Sequence, residues 1–206
     1  MSKQTIALAM TGASGAPYGL RLLQCLLEAE QAVYLMLSKP AQVVIGMETD
    51  LSLPGRPKEI ERFFVERFQA RPGLLRVFDR EQWTAPVASG SSAADAMVIC
   101  PCTTGTLAAV AGGVCDNLIH RAADVMLKER RKLILMLRET PYSAIHLENM
   151  LRLTHAGAVI MPSNPGFYHK PGRVEDLVDF MVARVLDHLG VDQRLLPRWG
   201  MEGYGD

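Results

Sequence analysis

The chain has 206 residues, 49% of them apolar, with 22 basic against 22 acidic side chains and a formal net charge of zero. That length and apolar content fit one globular domain, residues 1–206, with a sizeable core. Without a basic stripe or polybasic tail there is no electrostatic reason to expect nucleic acid or an anionic membrane as a partner. The N-terminus runs straight into a short apolar stretch, with no signal-peptide core and no apolar run long enough to span a bilayer, so a cytoplasmic protein is expected.

In chain order, the apolar run Thr5–Met10 reads as a first buried strand. It ends in Thr11-Gly12-Ala13-Ser14-Gly15-Ala16-Pro17-Tyr18-Gly19, which opens a leucine-rich amphipathic helix with Pro17 suited to its first turn. Further runs suited to strands buried on both faces fall at 33–38, 75–78, 96–100, 133–137 and 158–161, the second of these the weakest, and helical patterns separate most of them. This alternation predicts an α/β fold, a Rossmann-like doubly wound parallel sheet with helices on both faces. The stretch from Glu48 to Trp83 is polar and irregular, turns at Pro54-Gly55-Arg56-Pro57, and reads as an insertion. Residues 195–206, with Pro197, Trp199, Gly200, Gly203 and Gly205, lack helical periodicity and read as an extended tail whose Trp199 packs on its own domain or on a neighbouring subunit. Cys25, Cys100, Cys102 and Cys115 lie among apolar residues without a CxxC pair and read as buried reduced thiols. No second Cys/His cluster completes a metal site around Cys100-Pro101-Cys102, so no metal is expected, and the five scattered histidines read as structural.

The first turn lies where a parallel α/β sheet holds phosphates, at the carboxyl end of a strand and the positive end of a helix. Its spacing is Gly12-x-x-Gly15, without the third glycine of a dinucleotide site, and the second strand ends Leu37-Ser38-Lys39, a hydroxyl in place of the ribose-binding acid. No G-K-[ST] follows the glycines, which excludes a P-loop. A mononucleotide is the natural ligand; the alternative is a glycine turn that serves tight packing alone. The same sheet edge presents Ser14, Ser38, Ser89-Gly90-Ser91-Ser92, Thr103-Thr104-Gly105 and Arg138-Glu139-Thr140, which approach a phosphate or a flavin without steric conflict.

Taken together, TGASGAPYG, the SGSS turn, the run from Asn117 to Glu129, Leu137-Arg138-Glu139-Thr140-Pro141 and Pro165-Gly166-Phe167-Tyr168 resemble the UbiX flavin prenyltransferase family over nearly the whole chain. The related flavin-dependent cysteine decarboxylases carry an active-site histidine and a P-A-S-A-N-T type motif; here the corresponding strand end reads Pro101-Cys102-Thr103-Thr104-Gly105-Thr106, which favours the prenyltransferase branch. The resemblance implies transfer of a dimethylallyl group from dimethylallyl monophosphate to N5 and C6 of reduced FMN. The product, prenylated FMN, would serve a UbiD-type decarboxylase in ubiquinone biosynthesis. The resemblance also implies that Gly12, Ala13, Ser14, Ser38, Ser89, Gly90, Ser91, Ser92 and Arg138 contact FMN, and that Tyr168 and Arg184 contact the prenyl phosphate. Homo-oligomers follow as well, trimers assembled into a dodecamer with sites between subunits. An FMN-dependent decarboxylase and a non-catalytic FMN carrier are the alternative functions.

An allylic phosphate leaves as its carbon gains positive charge, so the chemistry needs stabilisation of an anion at one end and of a cation at the other. Arg121, Lys128, Arg138 and Arg184 are candidates for the phosphate. Arg121 and Lys128, seven residues apart, share one helical face about 10 Å apart, although Lys128 also begins the charged run to Lys132 and fits a solvated face. No aspartate-rich D-D-x-x-D motif is present, so a metal-free reaction is expected in which the departing phosphate takes a proton. Glu139 is the candidate donor, with Glu48 assisting; beside Arg138, Glu139 needs burial or a protonated phosphate to stay protonated. Trp83, Tyr168 and Trp199 offer π faces for the cation, and Ser14 faces the chemistry as well as the cofactor.

Overall fold

The computed structural model describes residues 3–196. In chain order the elements are β1 (Thr5–Met10), α1 (Ala16–Glu28), β2 (Ala32–Leu37), α2 (Lys39–Glu48), α3 (Pro57–Arg67), β3 (Leu75–Phe78), β4 (Ala96–Cys102), α4 (Thr104–Ala111), α5 (Leu118–Lys128), β5 (Lys132–Leu137), α6 (Ala144–His155), β6 (Val159–Pro162) and α7 (Val174–Leu189). The six strands form one sheet in the order β3-β2-β1-β4-β5-β6, every pair parallel. The chain therefore winds outward from β1 to β3, returns to the middle, and winds the other way from β4 to β6. This is the doubly wound, Rossmann-like sheet expected from the alternation, and each expected strand lies within about two residues of an observed one.

Alternate residues of β1 explain why its run is apolar throughout. Ile6, Leu8 and Met10 enter a core shared with α1, α3 and α7, where Leu22, Leu26, Phe64 and Val185 are fully buried. Ala7 and Ala9 face the second core, built with Leu107 of α4, Ala123 of α5 and Leu153 of α6. A strand covered on both faces has no side chain to spare for water.

The stretch from Glu48 to Trp83 is not an insertion. It supplies the crossover helix α3 and the edge strand β3, which pairs with β2 from Val33↔Leu75 to Met36↔Phe78. Its polar look has a simple cause: a helix on the rim of a sheet buries one stripe, here Ile60 and Phe64, and leaves the rest to solvent. Cys25, Cys100 and Cys102 are buried free thiols, and burial pushes Cys25 up to about 11. Cys115, in contrast to the expectation of apolar surroundings, is half-buried in the loop before α5.

Helix α1 crosses β4 so closely that a Cβ at Gly19 would run into the carbonyl oxygen of Cys100 and lie 2.9 Å from the Met10 sulfur. Inside an ordinary exposed helix, Gly→Ala stabilises by roughly 1 kcal/mol. At Gly19 the sign is expected to reverse: Gly19→Ala should destabilise the fold by about 1–3 kcal/mol through overpacking. Urea unfolding of the two proteins checks this, and an unchanged or raised midpoint would contradict it.

Candidate functional site

At the centre of the sheet the end of β1 is tied to the end of β4 by Thr11, only 4% exposed. Its backbone N–H donates to the carbonyl of Pro101 (3.1 Å), its hydroxyl donates to the same carbonyl (2.9 Å), and Thr103 N–H donates back to that hydroxyl (2.9 Å). Just beyond lies a cavity of about 240 Å³, where the strand order reverses. Gly12, Ser38, Arg80, Thr103, Asn117 and His120 are among its lining residues, and no carboxylate of the described residues is.

Three helices begin at this cavity, each with its first N–H groups capped by a lining side chain. Ser38 Oγ accepts from Ala41 N at 3.1 Å and starts α2; Thr103 Oγ1 accepts from Thr106 N at 3.1 Å and starts α4. Asn117 Oδ1 accepts from Ile119 N (2.9 Å) and His120 N (3.1 Å) and starts α5. Helix starts of this kind carry partial positive charge. Behind the wall, Asp116 Oδ1 lies 2.7 Å from His120 Nδ1. The carbonyl of Arg80 accepts from Leu118 N (2.6 Å), which fastens the loop after β3 to the start of α5. Of the cavity residues, Gly12 and Ser38 were expected, whereas Arg80, Asn117 and His120 were not. The available signal was Asp116-Asn117-x-x-His120, a helix cap followed by a carboxylate–imidazole pair, which a reading of histidines as structural passes over.

The N-terminus of α1, where the glycine turn suggested a phosphate, is occupied by a side chain of the protein itself. Gly15 N and Ala16 N both donate to Glu48 Oε2, each at 2.8 Å. Burial alone would raise this carboxyl, but the hydrogen bonds from Ser14, Gly15 and Ala16, with Arg138 nearby, outweigh it and hold Glu48 below the usual carboxylate range. Glu48 is thus an ionised hydrogen-bond acceptor, not the assisting acid expected from sequence.

Arg121 and Lys128 do flank one feature, the SGSS turn. Arg121 Nε donates to Ala88 O (3.1 Å) while its Nη1 pairs with Asp124 (2.8 Å). A Cβ at Gly90 would lie 2.8 Å from the Lys128 ammonium, which rests on Glu129. Ser89 and Ser91 hydroxyls are 3.0 Å apart, Ser92 Oγ donates to Pro86 O (2.9 Å), and Trp83 in the preceding loop is half-exposed. At the end of β5, Arg138 is exposed and Glu139 accepts from Thr104 Oγ1 (3.4 Å) and Thr140 N (3.2 Å). Ala13 is buried beneath the first turn.

Tyr168 and Arg184 belong to the far end of the sheet. Tyr168, half-exposed, meets Phe180 of α7 edge-on at 5.6 Å. Arg184 pairs with Asp187 (3.1 Å) and lines a cavity of about 320 Å³ beside β6. Helix α7 packs on α1, whereas α5 belongs to the opposite layer, so one chain does not converge Arg184 with Arg121 and Lys128. Trp199 lies outside the described residues.

Fold and cavity together define a Rossmann-like α/β protein with its ligand crevice at the topological switch point. The chain belongs to the flavoprotein family, whose model matches residues 1–186. It is 61% identical over 197 residues to the flavin prenyltransferase UbiX of Pseudomonas aeruginosa, covering 96% of this chain and 94% of that one. Its fold matches AnUbiX (PadA1), solved in complex with FMN and dimethylallyl pyrophosphate, with a TM-score of 0.86 and 43% identity over 98% of this chain and all of the other. A dodecameric FMN-dependent UbiX-like decarboxylase from Escherichia coli O157:H7 matches with a TM-score of 0.83 and 39% identity, over 96% of this chain and all of the other.

Because folding lowers the Glu48 pKa, its contribution to stability is present above the ordinary carboxylate range and is lost as pH falls through the folded value. Thermal melts should therefore show wild type more stable than Glu48→Gln at pH 7, with the two converging toward pH 3. A gap that stays constant with pH would argue against an ionised cap.

Proposed function

We propose that this chain is a flavin prenyltransferase that moves a dimethylallyl group from dimethylallyl monophosphate to N5 and C6 of reduced FMN, without a metal. The product, prenylated FMN, passes to a UbiD-type decarboxylase, with ubiquinone biosynthesis as the setting. The observation that carries this reading is the presence of two separate places suited to phosphate: the carboxylate-free cavity at the β1/β4 divide, and the SGSS turn flanked by Arg121 and Lys128. A reaction between a flavin mononucleotide and a prenyl phosphate needs two such places, whereas a decarboxylase or a carrier of FMN needs one.

In this reading Gly12, Ala13, Ser14, Ser38, the SGSS turn and Arg138 hold FMN, while Lys128 and Arg121 hold the prenyl phosphate through charge-assisted hydrogen bonds. Glu139 gives the departing phosphate its proton. Glu48, held below the usual carboxylate range by Ser14 and the first N–H groups of α1, is a weak proton acceptor and serves to orient the Ser14 hydroxyl. Trp83 and Tyr168 supply π faces to the allylic cation and shield it from water.

Because α5 and α7 lie in opposite layers, Tyr168 and Arg184 reach a given SGSS turn from a neighbouring copy. Apolar side chains await such a neighbour: Ile145, Leu147 and Leu151 of α6 are 67%, 53% and 58% exposed, and Met47 of α2 is 79% exposed. A trimer-based homododecamer accommodates this sharing. No helix among the described residues is long and apolar enough to cross a membrane, which fits a cytoplasmic enzyme.

Anaerobic incubation with reduced FMN and dimethylallyl phosphate, followed by mass analysis of the extracted flavin, tests the reaction. A flavin heavier by one prenyl unit is expected; recovery of FMN alone would overturn the reading, and carbon dioxide release from a peptidyl-cysteine would favour the decarboxylase. Glu139→Gln should keep FMN bound and slow transfer about 100-fold or more, the scale of general acid catalysis. Lys128→Ala and Arg184→Ala, each inactive alone, should recover activity when co-expressed, and no recovery would place both residues in one subunit's site.

A further inference from the structure

Each cation that the reading above assigns to the prenyl phosphate already has a carboxylate of its own chain beside it. Arg121 Nη1 meets Asp124 Oδ2 at 2.8 Å, and its Nε donates to the carbonyl of Ala88. The Lys128 ammonium rests on Glu129, and Arg184 pairs with Asp187 at 3.1 Å. All six side chains are between 26% and 51% exposed, so the pairs are open to a ligand yet partly shielded from screening by solvent.

Two of these acids lie where the prenyl phosphate would sit. A Cβ on Gly90 would come within 2.6 Å of the Glu129 carboxyl carbon and 2.8 Å of Lys128 Nζ, so both ends of that pair touch the SGSS turn. The hydrogen bond from Lys128 holds the Glu129 carboxyl below the usual carboxylate range, which keeps it ionised. Asp124 is a surface neighbour of Arg121, three residues further along α5. Outside the pairs stand two charges of opposite sign. Arg131 donates to the carbonyls of Ala93 and Ala94 at 2.7 and 2.8 Å, and Glu139 ends β5.

The three ion pairs therefore bring no net charge to the phosphate. A monophosphate ester still finds hydrogen-bond donors on Arg121 and Lys128, and those bonds hold it. A diphosphate ester brings about one further negative charge, which the ionised carboxylates oppose and no unbalanced cation of the pairs rewards. Repulsion of the wrong ligand is a common source of specificity.

We propose that Asp124 and Glu129 are specificity-determining residues: by balancing Arg121 and Lys128 they admit a prenyl monophosphate and turn away the corresponding diphosphate. This rests on the prenyltransferase reading above and adds to it the side chains that choose between the two donors. Neither carboxylate takes part in the transfer itself.

Prenyl transfer from dimethylallyl monophosphate to reduced FMN, with dimethylallyl diphosphate added as a competitor, tests this through the ratio of Ki for the diphosphate to KM for the monophosphate. In wild type the monophosphate should bind more tightly. Asp124→Asn and Glu129→Gln should each lower the ratio roughly 3- to 10-fold, the scale of removing one partly screened charge, and the double variant should lower it further. Glu129→Asp keeps the charge and should keep the wild-type ratio. So should Glu66→Gln, which removes an exposed carboxylate from α3, a helix packed on the opposite face of the sheet from α5. FMN affinity should be unchanged in every variant. Should Asp124→Asn fail to fold, Glu129→Gln at its partly exposed position still decides. A ratio that both neutral variants leave unchanged, or that Glu66→Gln lowers equally, would overturn the assignment while the transfer reading stands, as would a wild type that prefers the diphosphate. Wild type that yields no prenylated flavin would overturn both.

Discussion

The hydroxyl of Thr11, giving a proton to Pro101 O and accepting Thr103 N–H, joins the two central strands at the last point where they run together. Buried backbone groups need partners, and beyond the register Ala9↔Ile99 the backbone link between the two strand ends is Thr11 N–H to Pro101 O. The Thr11 side chain satisfies the groups that the ladder no longer reaches. It also fixes where the crevice opens, because Gly12 and Thr103 leave it in different directions to begin different walls. The caps of α2 and α4 meet at this cavity because β2 and β4 end there, and that of α5 is brought in by the bond from Leu118 N–H to the carbonyl of Arg80.

Electrostatically the carboxyl edge is divided. One helix start, that of α1, is neutralised from within by Glu48, and it brings Ser14 into a hydrogen bond with an ionised carboxylate. The starts of α2, α4 and α5 keep their positive ends toward a cavity without acids. A third region, the SGSS turn, owes its shape to glycine: any side chain at Gly90 would collide with the Glu129 carboxylate and the Lys128 ammonium. One edge thereby carries open helix starts, a hydrogen-bonded carboxylate at Glu48 and a turn beside two ion pairs.

The fold was legible because strands covered on both faces must be apolar at consecutive positions, and such runs stand out from amphipathic helices. The strand at 75–78 was found where expected, but the crossover carrying α3 was read as an insertion, since a rim helix that buries Ile60 and Phe64 leaves only a narrow stripe in the sequence. Within α5, the i, i+7 spacing of Arg121 and Lys128 places both on one helical face, because helix geometry is local. The contact of Glu48 with the start of α1 was not legible for the opposite reason: it spans 33 positions of sequence.

The sequence by itself determined the alternation of strands and helices, the glycine turns, and the choice of a mononucleotide over a dinucleotide, since each follows from residues a few positions apart. Only the tertiary structure decided which helix starts remain open to an anion, which carboxylate is ionised, and that α5 and α7 face opposite sides of the sheet. Those outcomes depend on the order in which strands pair, and that order brings together groups whose separation along the chain carries no local signal.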